Sequence, residues 1–302
     1  MSPPPAPAAS TFFFLFDEGP GAGLGHRRRM ETLAAELTDR GHDCVLVPLG
    51  TTAATVASDA VVIDSYRTRA DDPAFARARV VCALDDLDRD LAVDLVVDPS
   101  PGAIGAAHRS ARRVLAGAAY ALVPAPADRL IPASVDVPVT RVLVSTGAAD
   151  ADGVGARIAG ALAAAALDEG GPEVQIRLVV GQWGAADVPR GVVAVRAPDG
   201  LAPELAAASL VVTAGGVTLL ESCMLGRPTV AVALADNQRQ AVCGLEREGA
   251  VVVATPETVT GAVRDLIRDR ARRVNLSVTA RYAIDGKGAA RVADTLEQLV
   301  SR

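Results

Sequence analysis

Histidine is scarce in this chain. Three occur in 302 residues, and one of them, His26, closes a run in which Gly19, Gly21, Gly23 and Gly25 alternate. The spacing matches neither the dinucleotide pattern G-x-G-x-x-G nor the phosphate loop that ends in Gly-Lys-Ser/Thr. What remains is backbone that a ligand can approach closely, ending where a helix begins. In open parallel α/β sheets, ligands bind at the edge where such loops lie. The positive end of a helix lowers the pKa of a nearby imidazole and favours a neutral base. The competing reading is a histidine that only caps its helix.

A second loop of this kind is "TAGGVTLLE", residues 213–221. Gly215 and Gly216 follow a strand-like run and precede a helix, a place where a diphosphate reaches backbone N–H groups. Glu221 follows about a turn and a half later, where a carboxylate accepts ribose hydroxyls; a tight turn with a surface acid is the alternative. Asn237 and Gln238, in "ADNQRQA", fall after the next strand at the same edge. "DSYR" (64–67) and "DDL" (85–87) follow earlier strands, and acids there bind metal, hold a sugar or cap a helix. Asp86-Leu87-Asp88 is not read as a metal motif. His42, directly after Gly41, is expected to be structural, and His108, among small and basic residues, exposed. Cys44, Cys82, Cys223 and Cys243 form no CxxC pair and are expected as buried free thiols. No ligand spacing supports a metal, so neither metal nor cofactor is expected and turnover should survive chelators.

The elements that must position these residues are also legible. "TFFFLF" (11–16) is a continuous apolar run, as in a strand buried on both faces of a parallel sheet. Met30, Leu33, Ala34 and Leu37 then recur at helical spacing, and Gly41 ends that helix. "CVLVPL", "AVVID", "RVVCALDD" and "VDLVVD" continue the strands. After a proline-rich stretch from Pro124 to Pro138 the rhythm restarts with "RVLVST", "VQIRLVVG", "VVAVRA", "SLVVTA", "TVAVAL" and "AVVVAT", with helices over 154–166 and 217–225. This is an α/β chain of two consecutive domains. The expected division is a disordered tail at 1–10, an N-terminal domain at 11–137 and a C-terminal domain at 138–302.

Composition excludes some classes. The net charge is −6 and no long basic run occurs, which argues against a nucleic-acid partner. No apolar run approaches the ~20 residues that span a membrane, and "TFFFLF" lacks the basic start and length of a signal peptide. A cytoplasmic protein, monomeric or weakly dimeric, with no membrane partner is expected.

Taken in order, Asp17, G-x-G-H-x-x-R (Gly23 to Arg29), I-D-x-Y (Ile63 to Tyr66), D-D-L (Asp85 to Leu87), Y-A-L (Tyr120 to Leu122), G-G-x-T-x-x-E, N-Q and D-G-x-G-A-x-R (Asp285 to Arg291) form a series. It resembles the nucleotide-sugar hydrolases of the pseudaminic acid pathway and the related spore-coat polysaccharide proteins, over nearly the whole chain after the tail. That family resembles in turn the lipid-intermediate glycosyltransferase of peptidoglycan synthesis. The resemblance implies two Rossmann-like domains of GT-B type with a cleft between them, UDP on the C-terminal side and sugar on the N-terminal side. It implies cleavage of UDP-2,4-diacetamido-2,4,6-trideoxy-β-L-altropyranose or a similar UDP-sugar to UDP and free sugar, without metal. His26, Tyr66 and Asp17 carry over as catalytic. Gly23, Gly25, Arg29, Gly147, Gly215, Gly216, Thr218, Glu221, Asn237 and Gln238 carry over as substrate- or nucleotide-binding, while Arg27 and Arg28 are expected to be solvated. The chain departs from the family at "TGAAD" (146–150), at "YALVPAPAD" (120–128) and at "DPSPG" (98–102), the last two on the sugar side.

A lone base with no neighbouring carboxylate nucleophile implies direct displacement with inversion. The alternatives are a glycosyltransferase of the same fold and a non-catalytic sugar-nucleotide sensor.

Overall fold

The structure is a computed structural model that describes residues 9–19, 22, 24–49, 58–124, 130–147, 150, 152–168, 174–182 and 187–302. Most of the expected tail, Gly23, and the middle of the proline-rich stretch lie outside the described residues.

Two parallel sheets of six strands each are present. The first contains β1 (Thr11–Phe16), β2 (Asp43–Pro48), β3 (Ala60–Asp64), β4 (Val80–Leu84), β5 (Leu95–Asp98) and β6 (Val114–Ala116), in the order β2-β1-β3-β4-β5-β6. The second contains β7 (Arg141–Ser145), β8 (Gln175–Val179), β9 (Val192–Val195), β10 (Leu210–Ala214), β11 (Thr229–Val232) and β12 (Val252–Val253), in the order β12-β11-β10-β7-β8-β9. The helices are α1 (Gly25–Asp39), α2 (Val154–Asp168), α3 (Ala202–Ala207), α4 (Val217–Met224), α5 (Asp236–Arg247), α6 (Val259–Arg268), α7 (Arg270–Ala283) and α8 (Gly288–Val300). Every expected strand forms, and β6 is an additional one.

β1 reads as uninterrupted apolar sequence because both faces of its sheet are covered. Phe12, Phe14 and Phe16 share one cluster with Met30, Leu33 and Leu37 of α1. Leu15 belongs to a second cluster with Val61, Ile63, Leu91 and Val96. Strand order reverses beside β1 in the first sheet and between β7 and β10 in the second, giving each domain a crevice at its switch point.

The last helix does not stay with the second sheet, as a boundary at 138 would have it. Val292, Ala293 and Leu296 of α8 join the cluster of Phe12 and Phe14. Among the described residues α1 is the one long helix that precedes α8 in this cluster, and the apolar face of α8 covers the rest of it. Gly288 opens α8 against the other chain segment: a Cβ there would stand 2.1 Å from the Ala121 carbonyl oxygen and 2.7 Å from Tyr120 C. Both obstacles are backbone, so Gly288→Ala should destabilise the protein by about 1–3 kcal/mol. A lowered denaturant midpoint at unchanged slope is the expected result; an unchanged midpoint would show that the α8 junction yields freely.

The segment leading into β7 is tied to the second domain by two buried arginines. Arg227 donates to the carbonyls of Ala133 (2.7 Å) and Ala208 (2.9 Å), and Arg273 to those of Val137 (3.0 Å) and Leu266 (2.8 Å). Burial, with Arg281 nearby, lowers the Arg227 pKa to about 10, which leaves it charged at neutral pH. On the opposite side of the seam, α5 meets the loop after β5. Gly244 lies so close to Pro101 that a Cβ would stand 2.2 Å from the Pro101 carbonyl oxygen, and Gln240 reaches Asp98 at 3.4 Å.

Candidate active site

The two switch-point crevices face each other across a cavity of about 790 Å³. One wall is Leu24–His26, Arg28, Arg29, Tyr66, Asp86 and Pro99–Pro101. The other is Ser145–Gly147, Arg196, Thr213–Thr218, Asn237 and Gln238. Of the expected site residues, His26, Tyr66, Gly25, Arg29, Gly147, Gly215, Gly216, Thr218, Asn237 and Gln238 all line it.

His26 is the second residue of α1 and is 2% exposed. Neither ring nitrogen has a hydrogen-bond partner among the described residues. Nε2 stands 3.6 Å from Asp64 Oδ1, too far for a hydrogen bond. The Tyr66 ring meets the imidazole edge-on, with centroids 4.4 Å apart. Burial lowers the His26 pKa; the Asp64 carboxylate opposes that shift and Arg29 adds to it, and the net direction is down. The ring is therefore neutral at pH 7.

Beneath it runs a buried charge chain. Arg29 donates from Nε and Nη2 to both oxygens of Asp64 (2.9 and 2.8 Å) and from Nη1 to Asp86 (2.7 Å). Asp86 also accepts from the Tyr66 hydroxyl at 3.3 Å. Burial works against the Asp86 carboxylate, but Arg29 outweighs it and the pKa lies below the usual value. Burial, and after it Asp86, push Tyr66 up to about 12, so the phenol stays protonated. Its oxygen accepts from Asn237 Nδ2 at 2.8 Å, a hydrogen bond that joins the two domains over the cavity.

On the facing wall, α4 begins at Val217 with Gly216 as its N-cap and no capping side chain. The first N–H groups of a helix have no intrahelical acceptor, so this end suits an anion. The two glycines differ in role. A Cβ on Gly216 would meet nothing within 4 Å, which leaves that face open to a ligand. A Cβ on Gly215 would collide at 2.8 Å with Gln238 and Val242 of α5, so packing requires that glycine. Gln238 Oε1 accepts from Leu234 N at 2.9 Å, tying the same corner together.

Several expectations need revision. Asp17 does not line the cavity. Its Oδ2 accepts from Ser65 Oγ (2.9 Å) and Tyr66 N (3.0 Å), and its Oδ1 from Arg67 (2.9 Å), so it positions the loop that carries Tyr66. Burial opposes its charge, yet the Arg67 and Ser65 hydrogen bonds prevail and hold its pKa low. Glu221 lies just beneath the wall, 2% exposed, with Oε2 unpartnered and 3.9 Å from Arg28 Nη1. Arg28, expected in solvent, lines the cavity instead. His108, expected at the surface, is 2% exposed, while Cys243 is exposed and Cys44 only half-buried. His42 is structural as expected: Phe12 packs on it and it bonds Glu297 at 3.0 Å. Asp64, Asp86 and Arg28 were not singled out by sequence as site residues, although all three sit in or beside the quoted motifs.

Among the described residues, one group of potential metal ligands converges: Asp88, Asp98 and His108. None of the three lines the cavity. No described helix is long and apolar enough to cross a membrane.

No family model and no curated protein sequence matches the chain. Its fold does match solved structures. MurG of Acinetobacter baumannii is 14% identical, with 96% of this chain and 99% of that chain covered and a TM-score of 0.60. The spinosyn forosaminyltransferase SpnP is 15% identical, with 98% and 100% covered and a TM-score of 0.62. A putative UDP-N-acetylglucosamine 2-epimerase from Listeria monocytogenes is 11% identical, with 94% and 95% covered and a TM-score of 0.57. The chain thus has the two-domain, Rossmann-like α/β fold of GT-B type.

Proposed function

We propose that this protein hydrolyses a UDP-linked sugar at its anomeric carbon. The observation that carries the reading is His26: a buried, neutral, unpartnered imidazole on one wall of a cleft whose other wall is an open helix N-terminus. With Nε2–H turned toward Asp64, the lone pair sits on Nδ1 and takes a proton from water as its oxygen attacks C1. The C1–O bond to the diphosphate breaks, and UDP leaves with the electron pair. The imidazolium that forms faces Asp64, whose charge favours it, while the α4 N-terminus and Arg28 face the departing diphosphate. Asp86, the one carboxylate of the cavity wall among the described residues, has its Oδ2 bound by Arg29 and Tyr66, which supports direct displacement with inversion over a covalent intermediate on that acid. The ordered motifs of the sequence support an amino-deoxy sugar of the pseudaminic type, with Tyr66 beside it.

Transfer to an acceptor hydroxyl is the second reading, and the fold likeness to MurG and to a forosaminyltransferase favours it. One experiment separates the two. The protein is incubated with UDP-sugars, including UDP-2,4-diacetamido-2,4,6-trideoxy hexoses, and UDP and free sugar are followed by NMR. Release of both in equal amounts without any acceptor is expected. UDP release that requires an added acceptor would make the protein a transferase, and no release under either condition would leave a binding protein.

A further inference from the structure

We propose that Asp88, Asp98 and His108 bind one divalent transition-metal ion, at a site outside the cavity and beside the seam between the domains. The proposal is independent of the nucleotide-sugar reading. The three residues come from different segments: Asp88 from the loop after β4, Asp98 from the end of β5, and His108 from the loop before β6. Their ligand atoms all lie within 4.8 Å of one another.

The histidine is the strongest pointer. Its Nδ1 stands 2.9 Å from the Arg89 carbonyl oxygen. A carbonyl only accepts, so Nδ1 carries the hydrogen, and Nε2 is the ring nitrogen left to offer a lone pair to an ion. Nε2 is buried, has no hydrogen-bond partner among the described residues, and points into the cluster, 3.9 Å from Asp98 Oδ2. A ligating histidine is held in this way, with its other ring N–H given to a carbonyl. Without an ion, a buried ring nitrogen would be left unsatisfied.

Charge leads to the same place. Asp85, the next acid along, is paired through Arg89 Nε and the Arg89 backbone N–H, which also occupies Arg89. Asp98 is fully buried; its Oδ1 accepts from Ser100 N at 3.1 Å and its Oδ2 from Gln240 only at 3.4 Å. Asp88 has no hydrogen bond or ion pair among the described residues and is exposed, which leaves the site an approach from solvent. The two carboxylates supply a charge that a dication neutralises. One nitrogen and two oxygens suit zinc, cobalt or manganese better than magnesium or calcium. A tetrahedral ion with bonds of about 2.1 Å holds its ligands roughly 3.4 Å apart, so binding would draw the three side chains slightly together.

The consequence lies at the seam. Asp98 leads directly into Pro99–Pro101, which line the cavity and abut Gly244 of α5. An ion at Asp98 would fix that wall without touching the reacting atoms.

The test uses the full chain carrying Cys243→Ser, to remove the exposed thiol, after treatment with chelator. It is titrated with cobalt(II) by visible absorption and with zinc(II) by calorimetry. Binding of one equivalent is expected, with a rise in the unfolding midpoint. Asp88→Asn, at an exposed position whose φ of 54° asparagine tolerates, should weaken that binding by at least about tenfold and leave the metal-free midpoint unchanged. His108→Gln should do the same where it folds. Absence of stoichiometric binding, or binding that Asp88→Asn leaves intact, would overturn the proposal and make the cluster an ion pair between His108 and Asp98.

Discussion

His26→Asn should lower kcat for UDP release by about 10²-fold or more while leaving nucleotide affinity nearly unchanged. Asparagine retains much of the size and one polar group but cannot take a proton at neutral pH. The nucleotide contacts proposed here lie on the facing wall, so the ground-state complex is expected to survive. The packing around the position is also undemanding of charge, since neither ring nitrogen holds another of the described residues in place. A substitution with wild-type turnover would reduce the histidine to an element of helix structure.

The pH profile supplies a second readout of the same assignment. A base must be unprotonated, so activity is lost as pH falls through the His26 pKa. Burial sets that pKa below the ordinary 6.5, with Arg29 adding to the shift and Asp64 opposing it. The acid limb of kcat/KM should therefore break below 6.5. Removing Arg29 or Asp64 alters opposite contributions. Arg29→Met takes away a cation and should move the limb upward; Asp64→Asn takes away an anion and should move it downward. Shifts in the same direction would mean that the chain of Asp64, Arg29 and Asp86 acts by shape and not by charge.

How much of this was legible in sequence depends on how local each feature is. β1 and α1 follow from an apolar run and a helical stripe, and both form over the expected positions. The glycine loops place His26 and Gly216 because strand, turn and helix N-terminus follow one another within a few residues. β6 escaped because it is three residues long and exists by pairing with β5. The charge chain beneath His26 escaped because its hydrogen bonds join residues 35 and 57 positions apart. Gly215 and Gly216 look alike in sequence, and only the packing of α5 gives them different reasons. His108 sits among small and basic residues that suggest solvent, yet the loops around β5 fold over it. The α8 crossing was hidden for a similar reason: an amphipathic stripe shows that a face is buried, not against which sheet.

Glu221 carries the second large effect. Its carboxylate is almost fully buried beneath the α4 wall of the cavity, and one oxygen lacks a partner among the described residues. Burial raises its pKa to about 7, with Arg28 opposing the shift only from 3.9 Å. Ribose hydroxyls donating to this carboxylate would favour its charged form, so nucleotide binding and proton release are coupled. UDP affinity should then rise with pH up to about 7 and level off above it. The terminal phosphate of UDP itself titrates near ~6, so the comparison is with Glu221→Gln, which keeps that titration and lacks the carboxylate's. In the free protein the sign is reversed. A folded pKa of about 7 against an ordinary 4.5 gives a stabilising contribution that is complete below 4.5 and is lost as pH rises toward 7. Wild type should thus lose stability over that interval relative to Glu221→Gln, and UDP should restore more of it at pH 8 than at pH 5. Glu221→Ala at pH 8 should weaken UDP binding by about 1.5–3 kcal/mol, the range for hydrogen bonds to a charged group. Calorimetry showing the same affinity and the same pH dependence in both variants as in wild type would remove the ribose from Glu221, and leave this carboxylate facing Arg28 across the cleft.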